Sequence, residues 1–184
     1  VELHYHHKET CDYAAVKKKT QELLKCDLDS SDPRDADKAF LIFHKQHLVK
    51  YTDAQVPAQT AILATDKPPK LEVYRQDIQQ SWRCRGAEDL LSKSKRSCLV
   101  TEMMAHHLPP QDRVLIFHGV LRAMIEVTAP VALVFKHTQQ VVAPTDYLAA
   151  CSEEPIFRPG SLNVRFFNIS NSDGDMIMDT RGLE

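Results

Sequence analysis

Turn signals flanked by apolar strand patterns near both ends of the chain constrain its fold more than any other feature. Towards the C-terminus, "NVRFFNIS" and "DMIMDT" lie on either side of "NSDG", which predicts two strands joined by a tight turn. Towards the N-terminus, "KAFLIFHKQHLVKYTD" predicts two more strands that meet at a reversal near Lys45 and Gln46. Because a tight turn joins antiparallel strands, the chain is expected to contain an antiparallel sheet.

Other strand patterns occur between these two hairpins and before them. "VELHYH" alternates apolar and polar residues, as a half-buried strand does, and "AQTAILAT" predicts a third strand beside the first hairpin. "SCLVTEMM" predicts a further strand. "VALVF" is apolar throughout and bounded by turn formers, which indicates a central strand buried on both faces.

Four segments show helical patterns. "DYAAVKKKTQELLK" has apolar residues at helical spacing, and "APTDYLAAC" predicts a short helix with Thr145 as its N-cap. The segment "RQDIQQSWRCRGAEDLLSK" predicts a helix interrupted by Gly86, with inward-facing side chains at Ile78, Trp82, Leu90 and Leu91. A longer helix is predicted from about Gln111 to Val127, with an apolar stripe made of Val114, Phe117, Leu121, Met124 and Ile125.

The order of these elements indicates the fold class. A chain of 184 residues is long enough to bury one sizeable core, and neither a repeat nor a long linker divides it. Helices and strands are interspersed, but the hairpins require antiparallel pairs. We therefore predict a single α+β domain over residues 1–184, with helices packed mainly on one face of a mixed, mostly antiparallel sheet.

Charge and cysteine content narrow the environment of the protein. The 23 Lys and Arg residues nearly balance the 25 Asp and Glu residues, so no overall field attracts nucleic acid or an anionic membrane. The longest apolar runs are far shorter than the roughly 20 residues of a membrane helix. Five widely spaced cysteines without a C-x-x-C motif indicate reduced thiols and a cytoplasmic location.

Motifs for nucleotides and for common enzyme mechanisms are absent from the sequence. With five glycines, the chain has neither G-x-x-x-x-G-K-[ST] nor G-x-G-x-x-G, so ATP and NAD are not expected and no cofactor is predicted. It also lacks G-x-S-x-G and H-E-x-x-H, the motifs of a nucleophile elbow and of a zinc-dependent protease.

One helix presents a possible acid–base group. His118, Arg122 and Glu126 are four residues apart and therefore share one stripe of the long helix. A hydrolase could use His118 as its base, with Glu126 or Glu102 as the carboxylate. The simpler interpretation pairs Arg122 with Glu126 and leaves His118 as a boundary residue, so no catalytic site is assigned.

Histidine pairs are the candidates for metal ligands. His106 and His107 are adjacent, and adjacent side chains on a strand point to opposite faces, so both cannot readily reach one ion unless they lie in an irregular loop. His4 and His6 share a strand face and could bind a metal weakly. A solvent-facing strand edge is the simpler interpretation of that pair, and no metal site is predicted.

Two charged clusters are candidate binding surfaces. The basic cluster, Arg83, Arg85, Lys93, Lys95 and Arg96, could contact RNA, but acids interrupt it and stacking aromatics are missing apart from Trp82. A solvated helical face or a contact for an acidic partner is the simpler interpretation. The acidic segment "DLDSSDPRDAD" could meet a basic protein through Asp27, Asp29, Asp32 and Asp35.

Four blocks of sequence resemble a known family. "LVTEMMAHHLPPQDRVLIFHGVLRAMIEVT", "KHTQQVV", "FRPGSLNVRFFNI" and "GDMIMDTRGLE" are similar, in order and wording, to a bacterial family known as domain of unknown function 4261. The resemblance covers Ser97 to Glu184, with "VPAQTAILAT" adding support upstream, and it implies a fold and a bacterial origin without a catalytic signature. It also implies further chain after "MDTRGLE", so the domain is expected to be truncated at its C-terminus.

These observations favour a binding protein over an enzyme. We expect a non-enzymatic module of a bacterial cytoplasm that binds another protein, with nucleic acid and membrane contacts disfavoured. An immunity protein that neutralises a toxin is a concrete form of this hypothesis. The alternatives are a hydrolase with a His/Glu or metal site near His118, and an RNA-binding surface from Arg83 to Arg96.

Overall fold

The computed structural model describes residues 1–7, 11–32, 39–151 and 159–182. It contains strands β1 (Glu2–Tyr5), β2 (Asp29–Ser30), β3 (Ala39–Lys50), β4 (Gln55–Thr65), β5 (Arg96–Met103), β6 (Ala132–Phe135), β7 (Gln140–Val142), β8 (Asn163–Asn168) and β9 (Met176–Arg181). Its α-helices are α1 (Tyr13–Leu24), α2 (Arg75–Gln79), α3 (Ala87–Ser92), α4 (Pro110–Thr128) and α5 (Pro144–Ala150), and a 3-10 turn covers Leu71–Tyr74. None of the described helices is long and apolar enough to cross a membrane.

The chain divides into two compact units. The first unit contains Val1–His6, Pro68–Lys95 and Pro130–Glu184, and the second contains His7–Lys67 and Arg96–Ala129. Each unit combines helices with antiparallel strand pairs, which confirms the predicted α+β class. The interpretation of the whole chain as a single domain stays a prediction.

The second unit is an antiparallel sheet accompanied by two helices. Strand β3 lies between β2 and β4, and β4 pairs in turn with β5, with Ile62 opposite both Phe40 and Val100. These three side chains are fully buried. Helices α1 and α4 pack against each other so closely that Gly119 of α4 lies under the side chain of Leu24.

The predicted reversal at Lys45 and Gln46 is wrong. Both residues are exposed, but they lie inside β3, which continues without a turn to Lys50. Between His44 and Leu48 the register with β4 shifts. Such an irregularity accommodates extra residues within a strand and thereby accounts for polar residues that otherwise indicate a turn.

Helix α4 confirms the predicted long helix but not all of its apolar stripe. Leu121, Met124 and Ile125 are buried as predicted, whereas Val114 is 49% exposed and Phe117 is half-buried. The remaining buried positions are Ile116, Val120 and Ala123. The buried stripe therefore begins two residues later than the sequence pattern indicates.

The first unit is built around β6. This strand pairs with β1 on one side and with β7 on the other, and all four of its side chains are buried, as the "VALVF" pattern predicts. Helix α3 contacts β6, and α2 contacts β7. Their shared core contains Tyr74, Cys84, Ala87, Leu91, Ala132, Val134 and Val141.

Two helix predictions in this unit are wrong. The helical run predicted over residues 75–93 is interrupted at Gly86 as expected, since Gly86 is the N-cap of α3, but residues 80–85 before it are not helical. Trp82 in that segment is 60% exposed instead of facing inward. Thr145 does not cap α5, because the N-cap is Ala143 and its side chain offers no hydrogen bond. Pro144 at the first helical position fixes the start of that helix instead.

The predicted C-terminal hairpin is confirmed. Strands β8 and β9 are antiparallel, with Asn163 opposite Arg181 at the base and Asn168 opposite Met176 near the turn. Asn171 and Gly174 in the turn adopt positive φ angles of 67° and 88°, which these two residue types tolerate best.

Candidate functional site

The β8–β9 hairpin exposes an unusual number of apolar side chains. Seven of them, 37% to 64% exposed, form what we call the hairpin surface: Val164, Phe166, Phe167, Ile169, Met176, Ile177 and Met178. Single exposed apolar residues are common, but a contiguous group typically marks a surface that contacts another macromolecule.

The hairpin surface covers both sides of the two-stranded sheet. Residues directly opposite each other share a side, so Phe166 lies with Met178 on one side and Phe167 lies with Ile177 on the other. Met178 is the most exposed of these residues. Exposed apolar side chains are therefore present on both sides of the hairpin.

A polar network fixes the base of the hairpin. The Arg165 guanidinium donates from Nε to Asp179 Oδ1 at 2.7 Å, from Nη2 to the second Asp179 oxygen, and from Nη1 to Gln139 Oε1 at 2.6 Å. The two hydrogen bonds that Asp179 accepts from Arg165 are the main reason that the pKa of its carboxyl is lowered. The Asn163 amide also donates to the carbonyl oxygens of Thr138 and Gln139, both at 3.0 Å.

A pocket of about 350 Å³ adjoins the hairpin within the first unit. Trp82, Arg83, Asp146 and Val164 contribute to its wall, which therefore combines an aromatic ring, a cation and a carboxylate with apolar surface. The Trp82 ring meets Phe166 edge to face, with centroids 5.7 Å apart. The volume of this pocket is near the lower end of the range for ligand pockets. It suits one side chain of a partner or a small ligand.

The Gln80 side chain occupies the outer edge of β8. Its Nε2 donates to the Phe166 carbonyl and its Oε1 accepts from the Phe166 N–H, both at 3.4 Å. The Gln80 side-chain amide thereby makes the two hydrogen bonds that the backbone of a neighbouring strand would make with Phe166. No strand of the described chain pairs with the outer edge of β9.

A Ser–His–Glu arrangement in the first unit is buried. His4 Nδ1 lies 3.4 Å from Ser94 Oγ, and His4 Nε2 lies 3.8 Å from Glu2 Oε1. The Tyr74 hydroxyl donates to both Glu2 oxygens at 2.9 Å. Burial lowers the pKa of His4 to about 4, and neither His4 nor Ser94 is accessible to a substrate, so the arrangement is structural.

The predicted acid–base group is an ion-pair network. Glu126 accepts from Lys19 Nζ at 2.7 Å and from Arg122 Nε at 2.6 Å, which confirms the predicted Arg122–Glu126 pair. Burial alone raises the pKa of Glu126, but the hydrogen bonds from both cations outweigh it and the net pKa is lowered.

The other two members of the predicted group lie elsewhere. Glu102 pairs with Arg113, and half-buried His118 lies edge to face with Phe117. Both carboxylates are thus engaged by cations.

The predicted histidine pairs do not assemble a metal site. His106 and His107 lie in an exposed turn beyond the end of β5, with ring centroids 5.2 Å apart, so they are not separated on opposite faces of a strand. His4 is buried, and His6 Nε2 lies 3.2 Å from the Leu90 carbonyl. Among the residues that the structure describes, no group of three His, Cys, Asp or Glu side chains could hold a metal ion.

Only some residues of the predicted basic cluster are exposed. Arg83, Arg85 and Lys95 are exposed, and Lys93 Nζ lies 2.7 Å from an Asp89 oxygen. Arg96 is 6% exposed at the start of β5, so its prediction as a binding residue is wrong. A cation at the beginning of a strand can be buried even when its sequence neighbours are solvated.

The acidic segment is engaged in local contacts. Asp27 accepts a hydrogen bond from Gln21 Nε2 at 3.0 Å, and Asp29 lies 3.1 Å from Lys45 Nζ. The hydrogen bond from Lys45 is the main cause of the lowered pKa of Asp29. Asp32 is exposed, and Asp35 lies outside the described residues.

The hairpin is predicted by the sequence, but its exposed apolar surface is not. The signal was present, because "RFFNI" and "MIM" place apolar residues at consecutive positions where a half-buried strand would alternate them. Gln80 and Trp82 carry no comparable signal, since they reach Phe166 across more than eighty residues of sequence.

Comparison with models of known families, with curated proteins and with solved structures finds no match to this chain. The resemblance to domain of unknown function 4261 stays a prediction.

Proposed function

We propose that this chain is a non-enzymatic protein-binding module and that the hairpin surface is its docking surface. The single observation that carries this proposal is the exposure of seven apolar side chains on both sides of β8 and β9. Covering apolar area of this kind contributes about 25 cal/mol for each Å² removed from water.

The structure of the hairpin supports a role in binding. A two-stranded sheet is marginally stable in water, and further strands or a packed partner are normally needed to bury its apolar side chains. Here the base of the hairpin is fixed by Arg165 and Asn163, so the surface is held in place before a partner arrives. A preformed surface lowers the entropy lost on binding.

The pocket beside Trp82 supplies a second element of a binding surface. Buried interface cores are enriched in aromatic residues and arginine, and one side chain of a partner inserted into a pocket often carries much of the binding energy. Trp82 and Arg83 line this pocket, and Trp82 also contacts Phe166 of the hairpin surface. Pocket and hairpin surface are therefore adjacent parts of one docking region.

Site-specific photo-crosslinking tests the proposal. A photoreactive residue at Met178 is expected to give a discrete protein adduct in an extract of the source cell, whereas one at Glu88, an exposed position on α3, gives none. The double variant Phe167→Asp, Ile177→Asp should lose binding of the identified, purified partner. Equal labelling from both positions, or no protein adduct from Met178, would contradict the proposal.

The immunity-type role and the cytoplasmic location predicted from the sequence stay predictions. Identification of the crosslinked protein tests the first of them, because an immunity protein must protect cells from the partner it binds. Expression of that partner alone should then be toxic, and co-expression with this chain should restore growth.

A further inference from the structure

The contact between Gln80 and Phe166 determines which backbone groups of the hairpin face outwards. In an antiparallel pair, opposite residues alternate between those that bond each other and those whose N–H and C=O point away. Phe166 directs both groups to Gln80, so the opposite residue, Met178, also directs both of its groups away from the partner strand. The Ile169 N–H bond to the Asp175 carbonyl fits the same alternation.

It follows that Met176, Met178 and Thr180 present their N–H and C=O groups along the outer edge of β9. All three residues are exposed, and within the described chain no strand covers them. On the equivalent edge of β8, Gln80 bonds both outward-facing backbone groups of Phe166. An exposed apolar edge strand of this kind is a template for a strand from another chain.

The charged residues in and beside β9 are placed so that they match those of a second copy of β9 paired antiparallel to it. If two copies pair antiparallel with a two-fold axis at Met178, Asp175 of each copy lies opposite Arg181 of the other. The same register places Met178 opposite Met178 and Met176 opposite Thr180, so all three residues with outward-facing backbone groups are paired. Moving the axis to Ile177 places Asp175 opposite Asp179, a pair of like charges, which is unfavourable.

We infer that the partner at the β9 edge is a second copy of this chain, bound by antiparallel β9–β9 pairing centred on Met178. The two hairpins then form one four-stranded sheet with a two-fold axis, the commonest symmetry of protein dimers. Ile177 lies beside Asp179 of the other copy, whose carboxylate Arg165 already neutralises. This inference rests on the proposed function, because it names the partner of the same surface.

Charge reversal with mixing tests the register. By sedimentation, Arg181→Asp and Asp175→Arg should each weaken dimerisation about tenfold, because two pairs per dimer change from attraction to repulsion. An equimolar mixture of the two variants should form a heterodimer, in which both opposite-charge pairs are restored. The double variant, with both charges exchanged in one chain, should dimerise like the wild type. Amide exchange within β8 confirms that each hairpin is folded.

A crosslink between copies tests the axis directly. In the proposed register the two Met178 Cα atoms are about 5.5 Å apart, within the range that a disulfide spans. Met178→Cys should therefore give a reducible covalent dimer on mild oxidation. Met176→Cys, which faces Thr180 instead of itself, is the matched control and should not, and the wild type shows the background from the native cysteines.

The outcomes separate this inference from the proposed function. A monomer at the highest attainable concentration, or single and mixed variants that behave alike, overturns the self-pairing. If Met178 then still crosslinks to a different protein, the docking surface stands and only its occupant changes. If no protein adduct forms at all, both proposals fail.

Discussion

Arg165 and Asp179 face each other across the base of the β8–β9 hairpin, and the guanidinium of Arg165 contacts both carboxylate oxygens. Its third hydrogen bond, to Gln139, ties the hairpin to the residue just before β7. This side chain thus connects the hairpin surface to the segment that leads into β7.

Loss of Arg165 is expected to loosen the hairpin. In Arg165→Gln, the bidentate contact with Asp179 is lost, so the amides of Phe167 and Ile177 should exchange with solvent faster while those of β6 do not. Arg165→Lys keeps the charge but not the fork geometry and should give an intermediate rate. Unchanged exchange in the glutamine variant would show that the strand pairing alone holds the hairpin.

The packing of α1 on α4 predicts that Gly119→Ala changes the free energy of unfolding in a direction that depends on one neighbour, Leu24. A Cβ atom added at Gly119 would lie 2.5 Å from Leu24 Cδ2. Overpacking costs about 1 to 3 kcal/mol, more than the roughly 1 kcal/mol gained by replacing a helical glycine with alanine, so Gly119→Ala should lower the free energy of unfolding. In a Leu24→Ala background the same change should raise it, as urea titration will show. Equal effects in both backgrounds would exclude the clash.

Two glycines with positive φ provide a matched comparison. Gly86 has φ 83° with nothing near its added Cβ, whereas at Gly160, with φ 90°, the new atom would overlap the buried ring of Phe135. Gly86→Ala should therefore cost about 1 to 2 kcal/mol of backbone strain alone. Gly160→Ala should cost at least about 2 kcal/mol more, and Phe135→Leu should recover part of that difference. Equal unfolding midpoints for the two alanine variants would be inconsistent with this packing.

Stability should fall as the solution is acidified, because two histidines are buried in their neutral forms. Burial lowers the pKa of His4 and that of His44 from 6.5 to about 4. Between these values the unfolded chain binds protons that the folded chain does not, so the stabilisation is complete above about pH 6.5 and is lost as the pH falls towards 4. Each histidine should remove about 2 kcal/mol of the free energy of unfolding between pH 7 and pH 5.

Substitution identifies the source of this pH dependence. His44→Gln should reduce the pH dependence measured by urea unfolding and retain an amide that can bond Thr60, which His44 Nε2 contacts at 2.9 Å. His106→Gln, the same substitution at an exposed position, is the control. A profile that is the same in all three proteins would assign the effect to other groups.

Much of the fold could be predicted because short-range patterns determine it. The "NSDG" turn and the apolar "VALVF" strand are local signals, and both elements have the predicted structure. The error in β3 has a physical cause: exposed Lys45 and Gln46 resemble a turn, but their place inside the strand depends on pairing with β4. Trp82 was misplaced because apolar character alone does not distinguish a core residue from one at an exposed edge.

The candidate site was less accessible to sequence reasoning because it depends on contacts between distant segments. Gln80 has no special signal in its neighbourhood, and its role follows only from its position beside Phe166. The complementarity of Asp175 and Arg181 is visible in the sequence. This complementarity becomes informative only when the pairing of β8 with β9 shows which backbone groups of β9 face outwards.

The pairing of β1 with β6 joins Leu3 to Leu133, residues that emerge from the ribosome far apart in time. At usual synthesis rates the N-terminal strand waits on the order of ten seconds for this partner. Until β6 is made, β1 lacks this partner, so translation speed between the two strands is expected to influence the yield of native protein.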